Sequence, residues 1–219
     1  MAQITVDGKI IQAEEGKSLL ETCLQNGIFI PNLCHLHGMI HPPASCRLCF
    51  VEIRGKQKPV TSCNTPVVDG LEVTTDGEAV RRLQRTALRL LLSVHKVECR
   101  VCPSNRRCPL QKMARFLGVR LRPRRLEHIV RERPRLPESG LFEYLPERCV
   151  LCGRCIHVCE QRNRLPLLTF ARRGFDTVVA SFPQAVAPAS NDCRLCGACV
   201  EICPVSALSF RPDQIVVPQ

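Results

Sequence analysis

Cys149-Val-Leu-Cys152-Gly-Arg-Cys155-Ile-His-Val-Cys159 decides how the chain is read, because Cys193-Arg-Leu-Cys196-Gly-Ala-Cys199-Val-Glu-Ile-Cys203 repeats it 44 positions later. Both copies run Cys-x2-Cys-x2-Cys-x3-Cys. Such spacing gathers soft thiolate donors within a turn or two of chain, close enough to share a polynuclear iron centre. In this run three cysteines serve one cluster and the fourth serves the other. That places one [4Fe–4S] on Cys149, Cys152, Cys155 and Cys203, and a second on Cys159, Cys193, Cys196 and Cys199. Pro204 follows the second copy and Glu160 the first. The departure affects the exit of the loop and not a ligand. Zinc is the competing metal, and two copies with one spacing argue against it. Between the copies, residues 168–171 and 177–182 flank Arg172-Arg173-Gly174 and read as a hairpin covering the pair.

Upstream lies His95-Lys-Val-Glu-Cys99-Arg-Val-Cys102-Pro-Ser-Asn-Arg-Arg-Cys108. Four donors within fourteen residues fit either a zinc site or an iron–sulfur cluster, and the spacing alone leaves both open. A histidine at a helix end is commonly a partner for the helix dipole. Here it stands four residues before a Cys-x2-Cys, which favours a ligand role. The preceding residues 79–94 form a helical pattern, with Val80, Leu83, Ala87, Leu91 and Val94 on one stripe and Arg81, Arg85 and Arg89 on another. After Cys108 a short helix over 109–117 opens on proline.

Nearer the N-terminus, residues 3–14 alternate apolar and polar about Asp7-Gly8, a hairpin signature. A helix then opens at Ser18 and stops at Gly27, with Leu19, Leu20, Cys23 and Leu24 on one face. Cys23 falls on that stripe, so it reads as a small buried hydrophobe and not as a ligand. Cys34, Cys46, Cys49 and Cys63 follow, from a long loop and a set of strands over 50–54, up to Cys63, and 71–75. Four thiolates with a central Cys-x2-Cys suit a [2Fe–2S] cluster, although the spacing is not that of plant ferredoxins. A Rieske centre would recruit two of His35, His37 and His41, but four cysteines already complete the shell. A zinc ribbon would need a second Cys-x2-Cys knuckle.

Sixteen cysteines in 219 residues is several times an average share. No basic start followed by an apolar stretch marks an export signal, and no apolar run reaches ~18 residues. A cysteine-rich chain of this kind is expected to hold metal and not disulfides, and to depend on metal for part of its stability. The formal charge of +11 counts every cysteine as neutral. Ligated thiolates and oxidised cores would lower it by roughly seven, leaving a mildly basic protein near +4. Residues 119–137 hold seven arginines and three prolines. They read as a solvated connector, with an acidic partner or nucleic acid as candidate targets. Aromatics for base stacking are absent between Phe116 and Phe142.

With these constellations in order, the chain resembles the small iron–sulfur (diaphorase) subunit of NAD-reducing hydrogenases. It is also similar to the N-terminal region of the large iron–sulfur subunit of NADH:quinone oxidoreductase. The likeness is carried by Pro31-Asn-Leu-Cys34, Ser45-Cys-Arg-Leu-Cys-Phe-Val-Glu52, Ser62-Cys-Asn-Thr-Pro66, His95 through Gln111 and the two repeats. It implies an α+β chain in four parts. Residues 1–78 would be a β-grasp [2Fe–2S] ferredoxin domain and 79–118 a helical module whose His95, Cys99, Cys102 and Cys108 bind a [4Fe–4S]. Residues 119–140 would be the connector and 141–219 a bacterial-type two-[4Fe–4S] ferredoxin domain. Iron-only hydrogenases open with the same order but continue into a catalytic domain, which this sequence does not contain.

The expected function is therefore electron transfer through one [2Fe–2S] and three [4Fe–4S] clusters, without catalysis in this chain. Its partners would be a flavin/NAD(H)-binding subunit and a catalytic subunit such as a hydrogenase or formate dehydrogenase, in a cytoplasmic hetero-oligomer. Attachment to the inner face of a membrane would come only through partners. No Gly-x-Gly-x-x-Gly or Gly-x4-Gly-Lys-Ser/Thr motif is present, so nucleotide binding is assigned to another subunit. Alternatives are an electron-input subunit of a respiratory NADH:quinone-type or electron-bifurcating complex, a chain in which one cluster activates substrate, and a zinc-bearing nucleic-acid module.

Overall fold

The Asp7-Gly8 turn has both residues in the left-handed region, at φ 49 and 78, as a tight two-residue hairpin requires. It joins β1 (Ala2–Val6) to β2 (Lys9–Ala13) as an antiparallel pair. The computed structural model describes residues 1–122, 142–163, 167–181 and 196–210. The expectations for Cys193 and for the connector beyond residue 122 lie outside the described residues. The chain divides into two compact units: Met1–Leu91 with Lys112–Arg124, and Leu92–Gln111 with Arg125–Gln219.

In the first unit, α1 (Leu19–Gln25) starts at Ser18, and Gly27 at φ 75 ends it while Ile28 N–H bonds the Cys23 carbonyl at 2.9 Å. The strands β3 (Phe50–Ile53), β4 (Val60–Thr61) and β5 (Glu72–Thr74) complete a mixed sheet in the order β2-β1-β5-β3-β4. Its central β1–β5 pair is parallel and the other pairs are antiparallel. Ala2, Ile4 and Val6, alternate residues of β1, turn inward against Leu19, Leu20 and Cys23 of α1. Full burial of a leucine stabilises by about 1.5–3 kcal/mol, and this core fixes which way the cysteine loop leaves the helix. Asp7 also accepts Thr75 N–H at 2.8 Å and Thr75 O–H at 2.6 Å, tying the hairpin turn to the end of β5.

Two details differ from the sequence reading. Cys63 does not end a strand, because Ser62–Asn64 forms a 3-10 turn after β4. The helix α2 (Glu78–Val94) buries Val80, Gln84, Ala87, Leu88 and Leu92, whereas Leu83, Leu91 and Val94 are only half-buried. Leucines lie nearly all round its second half, so periodicity admits both stripes. The Gln84 side-chain amide donates to the Phe50 carbonyl at 3.0 Å, which lets a polar residue occupy the buried face.

The helix α3 (Pro109–Leu117) ends in the first unit. There Phe116 meets Phe29 edge-on at 4.9 Å, with Arg81 over the Phe116 ring and Lys112 over the Phe29 ring. Arg85 Nε donates to the Leu117 carbonyl at 2.9 Å and caps that helix end.

The second unit is built from short pieces. An antiparallel ribbon joins β6 (Phe142–Tyr144) to a strand at Leu208–Phe210, a pairing that no sequence pattern announced. A second ribbon pairs β7 (Leu168–Ala171) with β8 (Val178–Ser181), the hairpin read between the repeats. Helix α4 (Arg154–Asn163) contacts α5 (Ala198–Glu201), and the strand at Leu208–Phe210 is β9.

Candidate iron–sulfur sites

In the first unit Cys34, Cys46, Cys49 and Cys63 are all buried, and they associate as two pairs. Cys34 Sγ lies 3.4 Å from Cys46 Sγ. The hydrogen bond between the two sulfurs holds Cys34 down at about 5, aided by the Ser45 side chain and the Ser45 and Cys46 amides. Cys46 is pushed well above its ordinary value by the same bond and by burial. Cys63 bonds likewise to Cys49, lowering it, and is itself raised. In each pair the bond favours the thiolate form of one sulfur, the form in which cysteine ligates metal.

The loop is shaped for that charge. Ala44 and Arg47 both adopt positive φ, at 47 and 52, without being glycine. The resulting backbone directs the Leu48 amide toward Cys46. Ser62 closes the other side, its N–H and O–H both 2.9 Å from the Cys49 carbonyl. Two of the three histidines weighed as alternative ligands face Glu21: His37 Nδ1 is 2.6 Å from Glu21 Oε1, and His35 Nε2 is 3.8 Å from Glu21 Oε2. Cys23 is fully buried in the core, its thiol pushed up to about 12 by burial and then by Asp7.

In the second unit His95 follows the end of α2 and is buried. Its Nδ1 is 2.7 Å from the Arg148 carbonyl, so Nδ1 carries the proton and donates it, leaving the lone pair on Nε2. A ligating histidine is usually oriented by such a bond. Cys99, Cys102 and Cys108 are half-buried. Cys108 is raised chiefly by burial and also by Cys102 and Cys99, while the Gln111 and Leu110 amides of the first turn of α3 oppose the rise.

Cys149, Cys152, Cys155 and Cys159 are buried along α4 and the loop before it. Burial pushes Cys152 up to about 12, with Cys149 and Cys203 adding to it and the Arg154 amide opposing. Cys155 is raised by burial and then by Cys152, Cys149, Cys203 and Cys199. Cys203, 48 residues beyond Cys155, is thus brought beside the first run, with Cys199 also near. The Leu151 amide lies 3.4 Å from Cys149 Sγ and the Ala207 amide 3.2 Å from Cys203 Sγ. Leu151 and Ser206 take positive φ, at 52 and 48, in these turns.

Among the described residues no three His, Cys, Asp or Glu side chains surround a single ion. A polynuclear cluster is ligated at different irons, so its donors need not converge on one point. The buried sulfurs and the amides aimed at them fit such a group. Cysteine spacing did not single out Arg148, Glu98, Ser104 or Ser206, which join the loops of this unit. Arg148 and Glu98 merely precede a cysteine, and the two serines sit in loops without a pattern.

A 2Fe-2S iron-sulfur cluster binding domain family matches residues 1–78. The NADH-ubiquinone oxidoreductase-G iron-sulfur binding region matches 84–123, and a 4Fe-4S binding domain matches 190–209. The chain is 35% identical, over its whole length, to the NADP-reducing hydrogenase subunit HndD of Solidesulfovibrio fructosivorans, covering 40% of that protein. Over 97% of its length it is 30% identical to the NADH-ubiquinone oxidoreductase 75 kDa subunit of Reclinomonas americana, covering 30% of it. The chain therefore spans under half the length of these curated relatives. A crystal structure of NAD+-reducing [NiFe]-hydrogenase in the H2-reduced state contains a similar chain, with TM-score 0.82 and 28% identity over 99% of this chain and 90% of that one. The chain is a homologue of NAD(P)-linked hydrogenase subunits and of the N-terminal region of the NADH-ubiquinone oxidoreductase 75 kDa subunit.

Proposed function

We propose that this chain is an iron–sulfur electron-transfer subunit. It carries electrons between a flavin/NAD(H) subunit and a catalytic partner such as a hydrogenase or formate dehydrogenase, in a cytoplasmic hetero-oligomer. The observation that carries this reading is the gathering of buried cysteine sulfurs with backbone amides directed at them, surroundings built for negative sulfur. One [2Fe–2S] would be held by Cys34, Cys46, Cys49 and Cys63. Three [4Fe–4S] would be held by His95, Cys99, Cys102 and Cys108; by Cys149, Cys152, Cys155 and Cys203; and by Cys159, Cys193, Cys196 and Cys199. Bound clusters supply one-electron chemistry; the chain supplies ligation, water exclusion and polarity.

The residues divide this work. The thiolates carry charge into the site, and amides such as those of Leu48, Leu151 and Ala207 stabilise the more negative, reduced form. The Arg148 carbonyl keeps His95 in the tautomer whose Nε2 can ligate. The mixed sheet order, with α1 between its two hairpins, supports a β-grasp domain over 1–78. The likeness to the NADH-ubiquinone oxidoreductase 75 kDa subunit supports a second placement, as the electron-input arm of a quinone-type complex.

Metal analysis of the chain purified without air tests the assignment. It should return roughly fourteen irons, little zinc and broad visible absorption that bleaches on reduction. Zinc in place of iron would end the reading. Co-purification with a flavin subunit, identified by mass spectrometry, decides between the two placements by the partner found.

A further inference from the structure

Within the second unit, one residue is bonded to the histidine–cysteine loop through both its backbone and its side chain. The Arg148 carbonyl accepts the His95 Nδ1–H at 2.7 Å. Its side chain, only 11% exposed, donates from Nη2 to Glu98 Oε2 at 3.3 Å. Glu98 Oε1 is meanwhile 3.0 Å from Lys96 Nζ, and the two cations, Lys96 first and then Arg148, hold its carboxyl below the usual range. Beside these, Lys96 N–H bonds the Glu147 carbonyl at 2.7 Å, and the hydroxyls of Ser104 and Ser206 meet. Arg148 directly precedes Cys149, and Glu98 directly precedes Cys99. Each end of this ion pair is therefore one residue from a cysteine of a different proposed cluster.

A mostly buried arginine is costly to keep unless its charge is used. Here Glu98 shares its charge with Lys96, so the Arg148 guanidinium is not fully neutralised by its partner. A net positive charge near a cluster favours the state with the extra electron, and low-dielectric surroundings strengthen that preference. The same residue fixes the imidazole orientation through its carbonyl.

We propose that Arg148 is a positioning residue for electron transfer: it buckles the His95–Cys108 loop to the Cys149 loop and raises the reduction potential of the histidine-ligated cluster through its guanidinium. This rests on the electron-transfer reading above, and it goes further by assigning a role to a side chain that ligates nothing. The substitution Arg148→Gln removes the charge and keeps the backbone carbonyl, so the cluster should be retained. Arg148→Lys keeps charge but loses the planar fork.

Potentiometric titration followed by electron paramagnetic resonance, on the anaerobically purified full chain, makes the test. The histidine-ligated signal is first identified as the one altered by His95→Cys. With iron content unchanged, Arg148→Gln should shift that signal's midpoint downward, Glu98→Gln should shift it upward, and Arg148→Lys should stay close to the parent. Because the two single shifts have opposite signs, the double substitution should leave the midpoint between those of the two single variants. An unmoved midpoint in Arg148→Gln overturns the proposal, as does equal iron loss in the lysine and glutamine variants, which would mark a merely structural residue. If the parent chain holds no iron, or no signal responds to His95→Cys, the underlying assignment has failed instead.

Discussion

Cys23 shows how far one residue's environment decides its chemistry. It lies eleven residues from Cys34, yet its sulfur sits fully buried among Leu19, Leu20 and the inner face of β1. Burial and Asp7 push its thiol from 9.0 to about 12, so it stays protonated where a cysteine that ligates metal must not. Cys23→Ala should keep the full iron complement while lowering unfolding stability by about 1 kcal/mol, checked by iron assay and urea unfolding. Its pH signature has a definite sign. A thiol raised in the folded state contributes stability below its unfolded value near 9, and that contribution drains away as pH climbs toward 12. The parent should therefore lose stability faster than Cys23→Ala across that window, and parallel curves would contradict the burial argument.

At the scale of elements, each of two glycines inside a cysteine run meets an aromatic ring from a strand that follows it. Gly153 takes φ 76, and a Cβ there would meet Phe170 of β7 at 3.6 Å. Gly197 takes φ 54, and a Cβ there would meet Phe210 of β9 at 2.5 Å. Both substitutions to alanine incur left-handed strain of about 1–2 kcal/mol, but only Gly197→Ala must also displace a ring. Gly197→Ala should thus lose more thermal stability and more iron than Gly153→Ala, and Phe210→Ala should recover part of the difference. The helix α2 offers a second check. Gln84→Leu removes the donor to the Phe50 carbonyl and should cost about 1 kcal/mol or more in urea unfolding, although it makes the helix face more apolar. These cases mark the limit of sequence reading. The Asp7-Gly8 hairpin, α1, α3 from its proline and the β7–β8 hairpin were legible because turn residues and periodicity act locally. The buried face of α2 was not, since leucines surround it and a long-range bond to Phe50 settles the choice. Cysteine spacing proposed the ligand sets, but Arg148 acquires its role only when the loops at 95–98 and 147–148 are brought together.

Over the whole molecule, the two units differ in what holds them. The first has a continuous core running from Ala2 through Val73 beneath a five-stranded sheet. The described part of the second unit has two-stranded ribbons and short helices, and Cys149, Cys152, Cys155 and Cys159 are buried among them. An isolated two-stranded ribbon is at best marginally stable in water, so its order must come from elsewhere. Ionising gathered cysteines without metal incurs desolvation and mutual repulsion between thiolates, as the raised Cys152 and Cys155 indicate. Metal removes both costs by taking up the thiolates, and its binding free energy then becomes folding free energy. Stripping the iron with a chelator under reducing conditions should therefore unfold the units unequally. Amide hydrogen exchange should remain protected in β1, α1 and β5, slowed by the core, while protection in β6, α4 and β9 is lost. Chelation should also become easier as pH falls, since protons compete for the thiolates and for His95. Equal loss of protection in both units would mean that the N-terminal core depends on its own cluster as heavily as the C-terminal ribbons do. That result would move the boundary between packing and ligation to the wrong side of α1.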